Sequence, residues 1–290
     1  MSIGRFFSRL WARFAYDRSI GFGLENIGLT TLRYPRAIAL AVLGVDGMPG
    51  AWPVLVAAGV RAIVCPGITA ASSETILRLA EDNPEIHAAV GIQPNSCAEA
   101  EPGDWDRVVK MAEHPRVVAL GETGLDRHWD FTPFDVQQDY FDRHLRLAAA
   151  RNLPVIIHCR EAAGDLLPML RTAAARAPLA GVLHSFSEDA DFAAECLELG
   201  LYVSFSGSVT YTNKKFQSLR EAAASIPVDR LVIETDSPYL VPHPLRGKQR
   251  RNEPANLVLT AQAMAELRGV SLECFAEQTT ANAKRLFRCC

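Results

Sequence analysis

Short apolar runs alternate with amphipathic stretches along most of the chain. From about residue 37 onwards, each apolar run is followed by a stretch whose apolar residues recur at helical spacing. This alternation is typical of a parallel sheet whose strands are joined by helices. The predicted strands are Ala37–Val45, Val60–Cys65, Ile86–Ile92, Val117–Leu120, the run from Pro154 to His158, Gly181–Leu183, Leu201–Phe205 and Leu231–Ile233.

The stretches between these strands carry the helical spacing. The predicted helices are Trp52–Ala58, Ser73–Asp82 (with Ser72 or Ser73 as its N-cap), Trp105–Glu113, Phe134–Arg151, Ala162–Ala175, Asp189–Leu199, Lys215–Ala224, Pro254–Leu267 and Leu272–Leu286. Eight strands alternating with helices predict the α/β class and a (β/α)8 TIM-type barrel. A doubly wound open sheet is the competing architecture, and periodicity alone does not separate the two.

The first 36 residues do not share this rhythm. They are rich in arginine, and their aromatic residues fall on one side of a possible amphipathic helix. A surface helix, a transit-like leader and an accessory or misannotated start are the alternatives. We therefore expect an N-terminal extension over residues 1–36 and a single barrel domain over residues 37–290.

Composition narrows the class of protein. The net charge of -3 does not fit a generally basic nucleic-acid coat, so a polyanionic substrate would need a local basic patch or bound cations. The seven cysteines are scattered and odd in number, which favours reduced thiols over a disulfide framework. No apolar run is long enough to span a bilayer. We expect a cytoplasmic protein with no membrane association.

Four predicted strands end in a side chain that can bind a metal ion. Glu122 follows the fourth strand, His158 the fifth, His184 the sixth and Asp236 the eighth. A barrel gathers its strand ends around one mouth, so residues far apart in sequence can share an ion. Imidazole and carboxylate ligands suit Zn²⁺, Mn²⁺ or Mg²⁺, and a bound ion lowers the pKa of a coordinated water. Asp236 is a candidate both to bind the ion and to take the proton.

Each of these residues also has a purely structural interpretation. A histidine after a strand is commonly a hydrogen-bonded structural residue. Glu122 can accept amide bonds from its glycine-flanked turn, and Asp236 can cap the turn before Pro238. Four such residues, each near a predicted strand end, together favour a site.

Five segments resemble one known family in order and spacing. They are Gly121-Glu122-Thr123-Gly124-Leu125-Asp126, Ile157-His158-Cys159-Arg160, His184-Ser185-Phe186-Ser187, Glu234-Thr235-Asp236-Ser237-Pro238-Tyr239-Leu240, and Arg246-Gly247-Lys248 with Asn252-Glu253-Pro254. The chain resembles the TatD family of metal-dependent DNases from about Pro53 to Phe287.

The resemblance implies an amidohydrolase-like barrel that cleaves phosphodiester bonds in DNA, generally as a 3′-to-5′ exonuclease. It implies that Glu122 bridges two divalent cations and that His158 and His184 complete the site of the second. It further implies that Asp236 holds the first cation and activates the water. The expected cofactors are up to two divalent cations, the expected partner is a single- or double-stranded DNA end, and we expect a monomer.

One departure from the family pattern concerns the first cation. The family opens with a strand that ends in His-x-His, but this chain has no His-x-His, and Ala37–Val45 lies where that strand is expected. The alternatives are a variant with one ion at Glu122, His158 and His184, an inactivated family member, and a reading-frame fault upstream of about Trp52. The sequence favours the third, because the match becomes good abruptly.

Other positions bear on substrate contacts and on the orientation of the ligands. Gln93-Pro94-Asn95 stands where the family often has His-Pro-His, and Glu161 and Asp126 are candidates to orient a ligating histidine. Arg160, Arg246 and Lys248 are candidate phosphate contacts, although a solvated basic loop explains them equally well. Tyr239 can stack on a base or pack beneath its loop.

Two other functions remain open from the sequence. One is a metal-dependent hydrolase of another substrate, such as an ester, an amide or an aminoacyl-tRNA, because barrel folds host many reactions. The other is a catalytically impaired barrel that acts through binding, as the missing His-x-His suggests.

Overall fold

The computed structural model describes Ala37–Leu40 and residues 58–289, and its sheet has eight parallel strands. Each strand pairs with the next, so the order in the sheet follows the order in the chain. The strands are β1 (Ala37–Leu40), β2 (Val60–Pro66), β3 (Ile86–Val90), β4 (Val117–Asp126), β5 (Val155–Arg160), β6 (Gly181–Leu183), β7 (Tyr202–Phe205) and β8 (Leu231–Ile233).

Helices connect the successive strands, because neighbouring parallel strands need a crossover connection between them. They are α1 (Ala70–Asp82), α2 (Asp104–Met111), α3 (Phe134–Arg151), α4 (Ala163–Arg176), α5 (Ala190–Glu198), α6 (Gln217–Ser225), α7 (Leu257–Arg268) and α8 (Leu272–Phe287). The last helix, α8, lies against both β1 and β8. Among the described residues no ladder joins β8 to β1.

Alternate strand residues form two separate apolar clusters, because successive side chains on a strand point to opposite faces. The larger cluster packs the strands against the helices. The smaller cluster takes interior residues from β2 to β8 and includes the end of α8; its strand members are Ala62, Val64, Ala89, Ala119, Ile156, Val182, Tyr202 and Val232. The predicted (β/α)8 TIM-type fold is confirmed by the strand order and by this two-layered packing.

Several predicted element bounds need correction. β4 continues to Asp126 instead of ending at Leu120, so Glu122 lies within the strand, and β5 likewise continues past His158 to Arg160. The N-cap of α1 is Thr69, whose hydroxyl accepts a hydrogen bond from the Ser72 amide. The predicted extension over residues 1–36 and the body of the helix predicted at residues 52–58 lie outside the described residues.

The part of the chain that the structure describes contains no helix that is both long and apolar enough to cross a membrane.

Candidate metal centre

Glu122 and two histidines meet at the end of the barrel where the strands terminate. Glu122 Oε1 lies 2.9 Å from His158 Nδ1 and 3.1 Å from His184 Nε2. Glu122 and His184 are buried, and His158 is partly buried. The structure thus brings together three of the four predicted ligands in direct contact.

The strand alternation explains why these side chains face inward. His158 stands two residues after Ile156, and His184 two residues after Val182, and both apolar residues belong to the interior cluster. Residues two apart on a strand point to the same face. The histidines therefore continue the interior rows of β5 and β6 towards the mouth of the barrel.

Gly124 lets β4 approach β5 closely at this level. Its φ is +142°, and a Cβ built on it would lie 2.0 Å from the carbonyl oxygen of His158. Any side chain there would push the two strands apart. The glycine thus allows Glu122 and Asp126 of the same strand to contact the two ring nitrogens of His158.

Asp126 holds His158 from the side that does not face Glu122. Asp126 Oδ2 lies 2.9 Å from His158 Nε2 and accepts a hydrogen bond from Asn95 Nδ2 at 2.9 Å. Asn95 belongs to the segment that departs from the family's His-Pro-His, and here it supports Asp126. Glu161, the other residue predicted to orient a histidine, contacts His128 instead, with 2.8 Å between Glu161 Oε1 and His128 Nδ1.

Glu234 holds His184 in the same way, and the sequence interpretation did not give it a role. Glu234 Oε1 lies 3.1 Å from His184 Nδ1. Glu234 follows Val232 of the interior cluster by two residues, so the period-two alternation of β8 was the signal that pointed to it. Its Oε2 is buried and has no hydrogen-bond partner in the described part of the chain.

Asp236 joins the cluster from the loop after β8. Ligand atoms of His184, Glu234 and Asp236 lie within 4.8 Å of one another, and so do those of Glu122, His158 and His184. The two groups share His184, so the four predicted ligands surround one region. Asp236 has a φ of +54°, and Ser185 Oγ donates to its Oδ2 at 3.5 Å.

The electrostatics favour opposite charges on the imidazoles and their partners. Burial alone would raise the pKa of Glu122, but His184 and His158 outweigh it and lower that pKa. Burial likewise opposes the charged form of His158, yet its bonds to Asp126 and Glu122 raise the pKa. The pKa of His184 lies well above its ordinary value, since Glu122 and Glu234 overcome the effect of burial.

The two aspartates differ. Although burial acts to raise it, the pKa of Asp126 falls to about 2 because His158 and Asn95 bond to its carboxylate. Burial, together with the nearby Glu234 and Glu122 carboxylates, raises the pKa of Asp236 to about 7. Crowded carboxylates around two imidazoles form a site whose charges a divalent cation would balance.

The donor set fits a divalent metal ion. Two imidazoles and three carboxylates provide the mixed nitrogen and oxygen ligands that Zn²⁺ and Mn²⁺ accept, and both imidazoles are oriented by a carboxylate at the other ring nitrogen. The buried, unpaired Glu234 Oε2 adds a lone pair at the same place. The described strand β1, by contrast, consists of Ala-Ile-Ala-Leu and brings no ligand type.

The residues predicted to contact substrate differ in exposure and in what lies beside them. Tyr239 is 56 % exposed. Partial burial of the phenol raises its pKa, and so do the carboxylates of Asp236 and Glu122, which shows that Tyr239 lies near the cluster. The Arg246 guanidinium lies 3.9 Å above the Tyr211 ring. Burial raises the pKa of Tyr211; Arg246 lowers it, and the nearby Asp236 carboxylate raises it. Arg160 and Lys248 are exposed.

Comparison with known proteins gives a consistent picture. A family model described as "TatD related DNase" matches residues 54–288. The chain is 41% identical over 229 residues to "Uncharacterized metal-dependent hydrolase YabD" of Bacillus subtilis, covering 79% of this chain and 88% of that protein. It is 38% identical over 233 residues to "3'-5' ssDNA/RNA exonuclease TatD" of Citrobacter rodentium, covering 80% of this chain and 88% of that one.

Solved structures agree. The crystal structure of YJJV, a TatD homolog from Escherichia coli K12, superimposes with a TM-score of 0.79 at 28% identity, covering 87% of this chain and 98% of that chain. A TatD family hydrolase from Entamoeba histolytica superimposes with a TM-score of 0.77 at 20% identity, which shows a shared fold.

Proposed function

The chain belongs to the TatD family of metal-dependent hydrolases, and we propose that it cleaves phosphodiester bonds in DNA as a 3′-to-5′ exodeoxyribonuclease. Membership of the family confirms the resemblance that the five sequence segments carry. The choice of DNA as substrate is supported by relatives whose names describe a 3'-5' exonuclease acting on ssDNA and RNA.

The observation that carries the proposal is the meeting of Glu122, His158, His184 and Asp236 at one end of the barrel. We assign these four residues as the ligands of the catalytic cations. A divalent cation bound there would stabilise charge on a scissile phosphate and make a water molecule more acidic. Bound cations at the mouth would also offset the repulsion between a polyanionic substrate and a protein of slightly negative net charge.

The roles of the chain's own residues follow from their contacts. Asp126 and Glu234 fix the two imidazoles, so that His158 Nδ1 and His184 Nε2 both point towards Glu122. Asp236 accepts the proton of the attacking water. Arg160, Arg246 and Lys248 contact phosphates of the substrate, and Tyr239 stacks on a base.

The number of bound cations follows from the same set. Glu122, His158 and His184 form one compact group, whereas the family's His-x-His ligands of the other cation have no counterpart in this sequence. We propose that the group of Glu122, His158 and His184 binds at least one ion. We also propose that residues 37–290 form the catalytic domain.

The test is nuclease activity of the purified full chain with Mn²⁺ or Mg²⁺ on 5′-labelled single-stranded and duplex oligodeoxynucleotides. We expect stepwise shortening from the 3′ end that a chelator abolishes and that His158→Ala or Asp236→Ala removes. Intact DNA under these conditions, together with turnover of an ester, amide or aminoacyl-tRNA in a parallel panel, would assign another hydrolysis. Intact substrates throughout would indicate an impaired barrel.

A further inference from the structure

A large aromatic side chain stands exposed on the loop that follows β4. Trp129 is 45 % exposed, although a tryptophan is usually mostly buried. Its indole stacks on the Phe131 ring, with 5.3 Å between the ring centroids and 10° between the ring planes. One face of the indole is thus supported from within the loop, while much of its surface remains in contact with solvent.

This loop is fixed to the residues of the candidate metal centre. The Trp129 amide donates to Asp126 Oδ1 at 3.0 Å, and the same carboxylate contacts His158 through Oδ2. The His128 ring meets the indole edge-on, at 4.8 Å and 88°, and is itself held by Glu161. The indole is therefore held in place next to the cluster. Because it is already ordered, little conformational entropy is lost when a ligand stacks on it.

A cation without an acidic partner lies over the indole ring. The Arg160 guanidinium is 5.8 Å from the centroid of the Trp129 ring, and no carboxylate within the described ranges forms an ion pair with it. Arg127, on the same loop, is different: it binds Asp165 at 2.7 Å and lies 3.7 Å above the Phe134 ring. Arg127 is thus engaged within the protein, whereas Arg160 is available to an anion.

The position of Arg160 on β5 places Trp129 and Arg160 close to the candidate metal centre. Arg160 stands two residues after His158 on β5, so both belong to the same face of the strand, about 7 Å apart along it. A phosphate bound by Arg160 would lie just outside a phosphate bound at the cluster. An aromatic face next to an unpaired guanidinium is the combination that binds the base and phosphate of an unpaired nucleotide.

We propose that Trp129 and Arg160 form a nucleotide subsite, in which an unpaired base of the DNA substrate stacks on the indole and the neighbouring phosphate pairs with the guanidinium. This subsite rests on the proposed function, since it presumes a DNA substrate at the cluster. It lies on the β4 and β5 side of the mouth, whereas Tyr239 follows β8. A base held there has to leave its duplex, so the subsite selects frayed or single-stranded DNA.

The test measures binding to the metal-loaded chain, with a fluorescently labelled single-stranded phosphorothioate oligodeoxynucleotide, which resists hydrolysis, and an abasic phosphorothioate strand of equal length as probes. Trp129→Ala should weaken binding of the base-containing strand about tenfold and leave the abasic strand unaffected. Trp129→Phe should restore most of the affinity. Arg160→Ala should weaken binding of both strands, and Arg78→Ala, which removes an exposed charge on α1, should change neither.

Circular dichroism and thermal unfolding establish that each variant is folded, and cleavage kinetics give a second readout. We expect Trp129→Ala to raise KM for single-stranded DNA with kcat retained within about twofold. If the wild-type chain cleaves DNA but Trp129→Ala binds both strands as the wild type does, the subsite is wrong and the proposed function stands. If the wild-type chain neither binds nor cleaves DNA, both are wrong.

Discussion

Asp126 Oδ2 lies 2.9 Å from His158 Nε2, at the ring nitrogen that does not face Glu122. The imidazole is therefore held between two carboxylates of the same strand, β4. A carboxylate at the distal nitrogen fixes the tautomer and orientation of a ligating histidine and increases its basicity. The ring nitrogen of His158 that remains for a metal ion is Nδ1, which lies 2.9 Å from Glu122 Oε1.

Replacing Asp126 by asparagine should weaken metal binding without removing a ligand. We expect the affinity for Zn²⁺ or Mn²⁺ to fall by about 10- to 100-fold, because the charge that orients His158 is lost. Competition with a chromogenic chelator measures this. Asp165→Asn is the matched control, since Asp165 pairs with Arg127 at the surface and should leave the affinity unchanged. Equal affinities of wild type and Asp126→Asn would contradict the role of Asp126.

Gly124 should tolerate no side chain. In Gly124→Ala the new Cβ would meet the His158 carbonyl at 2.0 Å, and the φ of +142° is one that alanine rarely adopts. We expect a loss of about 2 kcal/mol or more in the free energy of unfolding, measured by urea denaturation. Gly164→Ala is the control: it lies in α4 with nothing within 4 Å of the added Cβ and should be neutral or slightly stabilising. Similar stabilities of the two variants would contradict this packing.

The sequence predicted the fold well where apolar runs were unambiguous. The bounds of β6, β8 and α3 match the prediction, because each is a clear apolar or amphipathic run. β4 was predicted too short, since Gly121 and Gly124 indicate a turn from sequence. In the structure these glycines instead let the strand continue alongside β5, a tertiary effect that the local pattern does not contain.

The fully buried His144 of α3 gives a pH-dependent contribution to stability. Burial lowers its pKa to about 4; its Nδ1 lies 2.7 Å from the Tyr140 carbonyl oxygen, and its Nε2 accepts the Ile92 amide at 3.2 Å. The unfolded chain, with a pKa of about 6.5 for this group, binds the proton more readily. Stability is therefore lost as the pH falls from about 6.5 towards 4.

Urea unfolding at pH 7.5 and pH 5.5 tests this contribution. Relative to His144→Gln, the wild type should lose about 1.4 kcal/mol between these two pH values. The comparison with the variant cancels the other titrating groups, including the cluster histidines. An identical pH dependence in both proteins would contradict a neutral, buried His144.

Arg246 should contribute one phosphate contact. The salt dependence of DNA binding reports the number of such contacts. We expect Arg246→Gln to reduce the slope of log Kd against log salt for a single-stranded oligodeoxynucleotide by about 0.7, since that is the effect of one neutralised phosphate on a single strand. Arg78→Ala should leave the slope unchanged. If Arg246→Gln shows the wild-type slope, its guanidinium serves only to cover Tyr211, above which it lies at 3.9 Å.

The candidate site was predictable only in part, for a physical reason. Glu122, His158, His184 and Asp236 are recognisable because each is a ligand type near a strand end. Glu234 is also a ligand type directly after a strand, but its role depends on His184, a partner distant in the chain. The role of Trp129 depends likewise on Arg160, and its stacking on Phe131 is set by the folded loop. Strand periodicity places Glu234 on the inner face, but only the assembled barrel shows what it contacts.

The proposed hydrolysis depends above all on a divalent cation held by Glu122, His158 and His184. The most direct measurement is the metal content of the purified wild-type chain and of Glu122→Gln, by inductively coupled plasma mass spectrometry after equilibration with Zn²⁺ or Mn²⁺ and removal of free ion. We predict at least one ion per chain in the wild type and a clear loss in Glu122→Gln, whose neutral amide no longer balances the cation. A wild-type chain that retains no ion, or a variant that retains as much as the wild type, would contradict the account.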